Sequence, residues 1–475
     1  MMSNGAKIFV IIAALATLIF AVKPYYGGEV MIHLNEPANF NYTPSDYSNL
    51  VFYSLLYENF FYMRNDGDIF SNIFDYYHYD PAKRALILQL KENISFSNGA
   101  PISAESIRLS LKLFLDMKVE SSLKLRRIIK NTDVDKQSIV INLLYDSPDI
   151  VGLLTAPELV VLPGAGGIFS GMFYPVEWER NRYIKLAANK FYPGGRSYLD
   201  GVQVIFYEKY YPDMFLSKPG MADNAFREFN AGVYQNIYLG FPEGDVSPNK
   251  RLAVYSLLRG FAESVEMTPL NVLTSDDESP VTLNIKTLSE QKVRAILKRS
   301  RIKLYIVASL KEIEEKLQEF IKRHGMPVET IFMNDNMLSN FMTSSPVQYL
   351  LMVKVFNKRT PLDEKIKRII KEMSFGQYDE NYLKMLNELE EVKFLNNDEL
   401  MFDHVSTLIE KIVNDGFLLP LFQKRYSFYV RKGIKGIELD FYGRPLFREM
   451  RLENVSSVPN PSPVTQPVTQ EKVTQ

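Results

Sequence analysis

Strand-like and helix-like hydrophobic patterns alternate along this chain, and that alternation confines it to the α/β class. Apolar residues recur at every second position in Ala85 to Leu90, Ser138 to Leu144, Gln203 to Tyr207 and Lys303 to Val307, which predicts four strands. Helical spacing marks other stretches. Ser103 stands where it can cap a helix that carries Ile107, Leu111 and Phe114 on one face. Leu310 to His324 aligns Ile313, Leu317, Phe320 and Ile321. The same stretch pairs Glu312 with Lys316 and Glu319 with Arg323, and Gly325 fits its C-cap. A further helix carries Val405, Leu408, Ile409 and Ile412 and stops at Gly416.

Length and charge narrow the function classes. A chain of 475 residues has room for two or three domains. Its net charge of -1 gives no electrostatic reason to expect a nucleic-acid partner. It has no cysteine, which excludes disulfides, thiolate metal sites, a Cys nucleophile and a lipid-bearing N-terminal Cys. His33, His78, His324 and His404 are far apart, and no pair has ligand spacing. No phosphate-binding, dinucleotide-binding, nucleophile-elbow or zinc-helix motif occurs. Gly164-Ala165-Gly166-Gly167 lacks the Lys and Ser or Thr of a phosphate loop and reads as a turn. Asp276-Asp277-Glu278 does not converge as a cation loop does and reads as surface. With no acid-base or nucleophilic constellation visible, the expectation is a protein without enzymatic activity, cofactor or metal.

The N-terminus reads as an address. Lys7 precedes fifteen uncharged residues, Ile8 to Val22, and then Lys23. As a helix these rise only about 22 Å, short of a bilayer core of roughly 30 Å, so the segment reads as a secretory signal. Processing after Ala21 fits its small side chain; an uncleaved anchor is the alternative, and either way the body is exported. Residues 29–80 carry eight acidic residues against the single basic Arg64, and fourteen Phe or Tyr. Residues 286–323 carry eleven Lys or Arg against five acidic residues. These are either solvated faces or two lobes of opposite sign across a cleft. Residues 454–475 close the chain with Pro, Ser, Thr, Val and Gln, which predicts a disordered tail.

Several short motifs carry a family likeness. Phe96, Gly99 and Pro101 make a strand and turn, followed by Ser103, Ala104 and Ile107 opening a helix, with Ser106 where an Asp is usual. In order along the chain come Tyr57-Glu58-Asn59-Phe60, Asp66-Gly67, Ile73-Phe74-Asp75-Tyr76, Ser170-Gly171-Met172-Phe173 and Glu177-Trp178-Glu179-Arg180. Asn189-Lys190-Phe191-Tyr192, Arg251 with Ala253, Leu419-Pro420-Leu421-Phe422 and Ile434-Lys435-Gly436-Ile437 complete the series. Taken together these resemble the family 5 bacterial extracellular solute-binding proteins, the oligopeptide, dipeptide and nickel receptors of ABC importers. In that family the Tyr57 motif belongs to an early helix.

The resemblance implies a two-lobe periplasmic-binding-protein fold of type II, cluster-C-like, with a small third domain inserted in lobe one. It places lobe one at 29–70, 174–250 and 425–453, the insertion at 71–173 and lobe two at 251–424. A peptide or other small solute would bind between the lobes, and a monomer closed around it would dock on an ABC permease in the inner membrane. By position, Asn35, Glu36 and Pro37 follow the first strand on the lobe-one side. Phe356, Lys358 and Arg359 supply the lobe-two wall, and Phe422 and Gln423 follow the last crossing between lobes. Phe356 takes the place of the family's Trp, while Lys358 or Arg359 replaces the Asp that meets a peptide's free amino group. A cation repels a buried ammonium, so a carboxylate, phosphate or neutral sugar fits better; a solvated Lys-Arg pair is the other reading. Nickel is disfavoured for want of His or carboxylate clusters, unless it arrives in a small chelator. The stretch from Pro280 to Ser289 is short where the family carries a longer lid. With the changed anchor, that leaves a second reading: a membrane-tethered sensor or interaction protein that keeps the fold and not the transport role. Trp178 reads as core, as do most of the Phe and Tyr of 29–80.

Overall fold

The structure is a computed structural model. It describes residues 26–453 except 43–46, 118, 165, 207–211, 217–223, 242–245, 265–266, 271–282, 284, 299, 301, 308–309 and 334–348. Between 358 and 417 it describes only 365–367, 369, 384, 387, 403, 406–408 and 410. The N-terminal segment, the tail, Asp276 to Glu278, residues 280–282 and 284 of the Pro280–Ser289 stretch and parts of the 405–416 helix lie outside the described residues.

Among the described residues the largest sheet has eleven strands. From one edge it runs β8 (Phe173–Glu179), β9 (Tyr183–Ala188), β10 (Gly201–Ile205), β1 (Glu29–His33) and β11 (Met214–Phe215). It continues through β17 (Leu418–Arg431), β12 (Phe226–Gly240), β16 (Tyr349–Asn357), β14 (Ile302–Val307) and β15 (Val328–Met333), with β13 (Thr268–Pro269) paired on β17. A separate antiparallel sheet has the order β4 (Phe74–Asp80), β5 (Ala85–Leu90), β7 (Ser138–Leu143), β6 (Ile129–Asp135). Two small ribbons complete the strands: β2 (Tyr62–Met63) with β3 (Ile69–Phe70), and β18 (Ile434–Lys435) with β19 (Arg451–Leu452). The helices are α1 (Tyr47–Leu56), α2 (Ala104–Asp116), α3 (Glu120–Ile128), α4 (Ile150–Leu153), α5 (Pro248–Ser264), α6 (Glu290–Leu297) and α7 (Lys311–Arg323).

Three apolar cores follow from this arrangement. The first draws on separated parts of the chain: Val30 to Tyr57, Val160 to Val233, and Tyr426 to Met450. The second is continuous in sequence, from Tyr234 to Phe422. A third, from Phe60 to Val161, fills the space between the four-stranded sheet and α2, α3 and α4. The α/β expectation holds. Ala85 to Leu90 is a strand with the limits read from its alternation, and the strand at 303–307 begins one residue earlier. Ser103 accepts a hydrogen bond from the Ser106 backbone while Ser106 reaches back to the Ser103 amide, a capping box that starts α2. Gly325 has φ of +59° after α7, and Glu319 pairs with Arg323 at 2.7 Å. One reading is corrected: α1 ends at Leu56, so Tyr57 to Phe60 follows the helix instead of lying in it.

The family-like motifs are places where backbones meet. Ser170 Oγ accepts from the Glu58 amide at 3.0 Å and donates to the Val161 carbonyl. Gly171 lies against the end of α1; a Cβ there would sit 2.5 Å from the Tyr57 nitrogen and closer still to the Leu56 carbonyl carbon. Asn189 is buried and donates to the Gly171 carbonyl at 2.9 Å. These contacts lock the N-terminal helix to the strand that begins at Phe173. Gly171→Ala is therefore expected to destabilise the protein by about 3 kcal/mol, because the obstructing atoms are backbone and cannot step aside. Gly152→Ala, where an added Cβ meets nothing within 4 Å, is the matched control and should be neutral or slightly stabilising. Urea denaturation of the two variants checks this.

Candidate ligand-binding site

Two strands run through both large cores. β12 has 15 residues and β17 has 14, and they pair antiparallel from Phe226↔Arg431 to Gly240↔Leu418. At about 3.3 Å per residue this ladder spans roughly 50 Å, enough to cross from one body into the other. At one end β17 pairs with β11, and so with β1; at the other, β12 pairs with β16 and β17 with β13. The register shifts between Asn230 and Val233, leaving Ala231 and Gly232 as a bulge, and Gly232 has φ of +64°.

Strand direction makes the junction a site. β1 and β10 are parallel, and their register through β11 points their carboxyl ends along β17 toward the second body. β16 runs antiparallel to β12 and ends at Asn357, opposite Val233; β14 and β15 run parallel to it. Carboxyl ends of strands from both bodies thus converge on one line. In α/β proteins, ligands bind in the crevice beyond such ends.

The side chains at the junction are polar where the cores are apolar. Val233 belongs to the first core and Tyr234 to the second; on β17 the change falls between Phe422 and Tyr426. Beside that change Gln235, Asn236 and Gln423 are buried, and each takes part in a side-chain hydrogen bond. Asn236 donates to the Tyr238 hydroxyl at 3.0 Å, and Gln423 donates to the Asn236 carbonyl oxygen at 2.9 Å. Arg425 donates to Gln423 at 2.9 Å, and Tyr426 donates to Gln235 at 3.0 Å. Burial pushes the Tyr238 hydroxyl far above its ordinary pKa, so it stays a neutral partner. The Lys365 ammonium lies 5.3 Å from the Tyr234 ring centre, and this lysine is fully buried.

The residues picked from sequence reach this place unequally. Asn35, Glu36 and Pro37 follow the carboxyl end of β1, but Glu36 is committed to structure. It accepts from Trp178 Nε1 at 3.0 Å and from the Asn181 amide at 3.1 Å, and Arg180 stacks 3.5 Å over the Trp178 ring. The Asn35 amide donates to Ser48 Oγ at 2.8 Å, and Pro37 is buried. Phe356 pairs with Tyr234 through the backbone at the junction; its side chain, Lys358 and Arg359 lie outside the described residues. Phe422 is 1% exposed inside the second core, whereas Gln423 is central to the ladder. Gln235, Asn236, Tyr238, Lys365 and Arg425 were missed. The sequence signal for Gln235 and Asn236 is their interruption of an otherwise apolar run from Val233 to Phe241; Lys365 and Arg425 carry none.

A pocket of about 70 Å³ lies within the first body between Tyr62, Asn72, Tyr192, Arg444 and Arg448. Beside it Glu58 is 1% exposed, and Asn72 donates to its carboxyl at 3.0 Å. Burial pushes the Glu58 carboxyl up to about 7, against the opposing hydrogen bonds of Tyr192, Asn72 and Tyr62. The folded protein therefore holds a proton that the unfolded chain releases once the pH passes about 4.5. Stability from the neutral carboxyl is full below that value and is lost as the pH rises through about 7, by roughly 3 kcal/mol in all. Glu58→Gln, neutral at every pH, is expected to flatten this slope and to exceed the parent in stability at about pH 8. Guanidinium unfolding at about pH 5 and about pH 8 measures it.

Comparison with known proteins fits this geometry. Residues 73–250 match the profile of the bacterial extracellular solute-binding proteins, family 5. The nickel-binding protein NikA of Staphylococcus aureus is 25% identical over 158 residues, a stretch covering 32% of each chain. The match thus takes in about a third of that relative's length. Its crystal structure with Ni(L-His)2 superposes with a TM-score of 0.62 at 16% identity, covering 90% of this chain and 100% of that one. The oligopeptide-binding protein AppA of Bacillus subtilis, in complex with a nonapeptide, gives 0.65 at 16% identity with the same coverage. The Helicobacter pylori periplasmic binding protein DppA, with the peptide STSA, gives 0.65 at 14%, covering 90% and 99%. At these identities the structural likeness is one of fold. The motif resemblance to family 5 is borne out.

Proposed function

We propose, from the family 5 profile match and the fold shared with its solved members, that this chain is the solute-binding subunit of an ABC importer. It captures a peptide or comparable small solute between lobe one (29–70, 174–250, 425–453) and lobe two (251–424), with 71–173 as an inserted domain. The observation that carries this reading is the β12–β17 pair: a bulged, polar-lined ladder shared by two cores whose strand ends converge on it. Ligand contact with both lobes stabilises the closed form, and only affinity that differs between open and closed states can supply the closure energy. Binding involves no covalent step, so no catalytic group is needed. The protein works outside the cytoplasm as a monomer and delivers its solute to a membrane permease; residues 8–22 direct its export or hold it to the inner membrane. Arg425, exposed on β17 beside the ladder, favours a solute that presents acceptor oxygens over one that presents a free ammonium.

Native mass spectrometry of protein purified without unfolding is expected to show a small bound solute. Its removal by unfolding and refolding should lower the thermal midpoint; saturation near 100 times the dissociation constant corresponds to about 2.7 kcal/mol. Asn236→Ala, which removes the acceptor of Gln423, should reduce the occupied fraction about tenfold while the protein stays folded. A protein that carries nothing, and whose midpoint ignores peptides, sugars and chelated metal alike, would refute the reading.

A further inference from the structure

The small antiparallel sheet carries a face that the solute cleft does not use. α2 and α3 pack on this sheet through Ile107, Leu111 and Phe114, and through Leu125 and Ile128. At about 100° per residue, Leu109 and Leu113 lie opposite the buried side of α2, and Leu123 and Arg127 opposite the buried side of α3. The three leucines are 37%, 41% and 44% exposed. Because both helices turn their apolar sides to one core, their outer sides form one surface. Arg126 fastens the two together by donating to the Leu115 and Met117 carbonyls at the end of α2.

Charge on this face runs against the rest of the molecule. Residues 108–130 contain seven Lys or Arg and two acidic residues, in a chain whose net charge is -1. Lys112, Arg126, Arg127 and Lys130 are exposed around the leucines, and Lys124 is partly so. Four acidic groups accompany them: Glu105, paired with Arg108; Asp116, exposed at the end of α2; Glu120, which opens α3; and Glu158, which accepts from Ser121 of α3. Exposed leucines within a cationic surround match a phospholipid surface of negative charge, where acyl chains accept the leucines and headgroups the cations.

We propose that the α2–α3 face is a membrane-surface site for anionic phospholipid, seating the small sheet on the bilayer through Leu109, Leu113 and Leu123. It holds whatever solute occupies the cleft, since none of these residues belongs to the β12–β17 junction. A rim of cations makes the association salt-sensitive and brings the protein to the surface before the leucines enter.

The test uses the exported protein as purified from its soluble fraction. It is mixed with vesicles of phosphatidylcholine alone or of equimolar phosphatidylcholine and phosphatidylglycerol, and followed by flotation and amide hydrogen exchange. Flotation is expected with the anionic vesicles only, weakened by salt, with protection gained in 104–130. The triple variant Leu109→Ser, Leu113→Ser, Leu123→Ser, and separately Arg127→Glu with Lys112→Glu, should lower the bound fraction about tenfold with an unchanged melting curve. Binding that ignores lipid charge, protection elsewhere on the chain, or wild-type flotation by both variants would overturn the proposal. So would loss by both variants of an acidic protein partner with vesicle binding intact, which would make the face a protein interface.

Discussion

One continuous hydrogen-bonded ladder, β12 with β17, organises the molecule. Without it the first core would lose Ala231, Val233, Tyr426, Phe428 and Val430, and the second would lack the strands that carry Ile237, Leu239, Leu419 and Leu421. A ladder that belongs to two cores carries buried polar side chains beside the place where those cores adjoin. That place cannot be apolar, because nothing apolar covers it on every side; it cannot be polar and unpaired either, because an unmade buried hydrogen bond is costly. Asn236 and Gln423 satisfy both conditions by bonding to one another and to Tyr238, and Gln235 by accepting from Tyr426. The bulge at Ala231-Gly232 adds a bend in the same place, so the ladder is least regular where the bodies meet.

The parts of this fold that were legible in the sequence are those whose cause is local. Ser103 and Ser106 sit three residues apart and cap α2 regardless of what surrounds them. Gly99 and Gly325 mark turns because their φ values, +84° and +59°, suit glycine. Ser170, Gly171 and Asn189 were recognised through the family resemblance, and the structure gives the reason: each touches the end of α1 or the loop beside it. The pairing of β12 with β17 joins residues nearly two hundred positions apart, and no window on the sequence contains it. The polar ladder inherits that difficulty. Asn236 and Gln423 are unremarkable apart and become a hydrogen-bonded pair only when register brings them opposite one another. Glu36 shows the converse. Its position after β1 drew it toward the cleft, but both carboxylate oxygens serve the β8–β9 hairpin.

The charge runs read from composition resolve in the same way. In the basic stretch Arg294 pairs with Glu290 and Arg323 with Glu319, each along its own helix, in exposed pairs worth little individually. In the acidic stretch Glu58 has been drawn inside and kept near neutrality, while Asp66 and Asp68 lie exposed in the β2–β3 turn.

Charges that are truly buried serve a different purpose. Arg444 is 2% exposed, pairs with Asp440 at 2.7 Å and donates to Asn59 Oδ1 at 2.9 Å. Asn59 in turn donates to the carbonyls of Ala156, Pro157 and Leu159. The chain from Asp440 to Leu159 thus fastens the C-terminal segment of the first body to the edge of the small sheet's core. Desolvating an ion pair costs about as much as the pair returns, so apolar side chains of similar volume would hold the two bodies with comparable strength. They would not hold them in one orientation, since apolar contact is indifferent to sliding and a guanidinium, carboxylate and amide in fixed register are not. Orientation is what the small sheet requires, because among the described residues it meets the first body through loops and single bridges such as Asn59↔Val160, with no shared strand to align it.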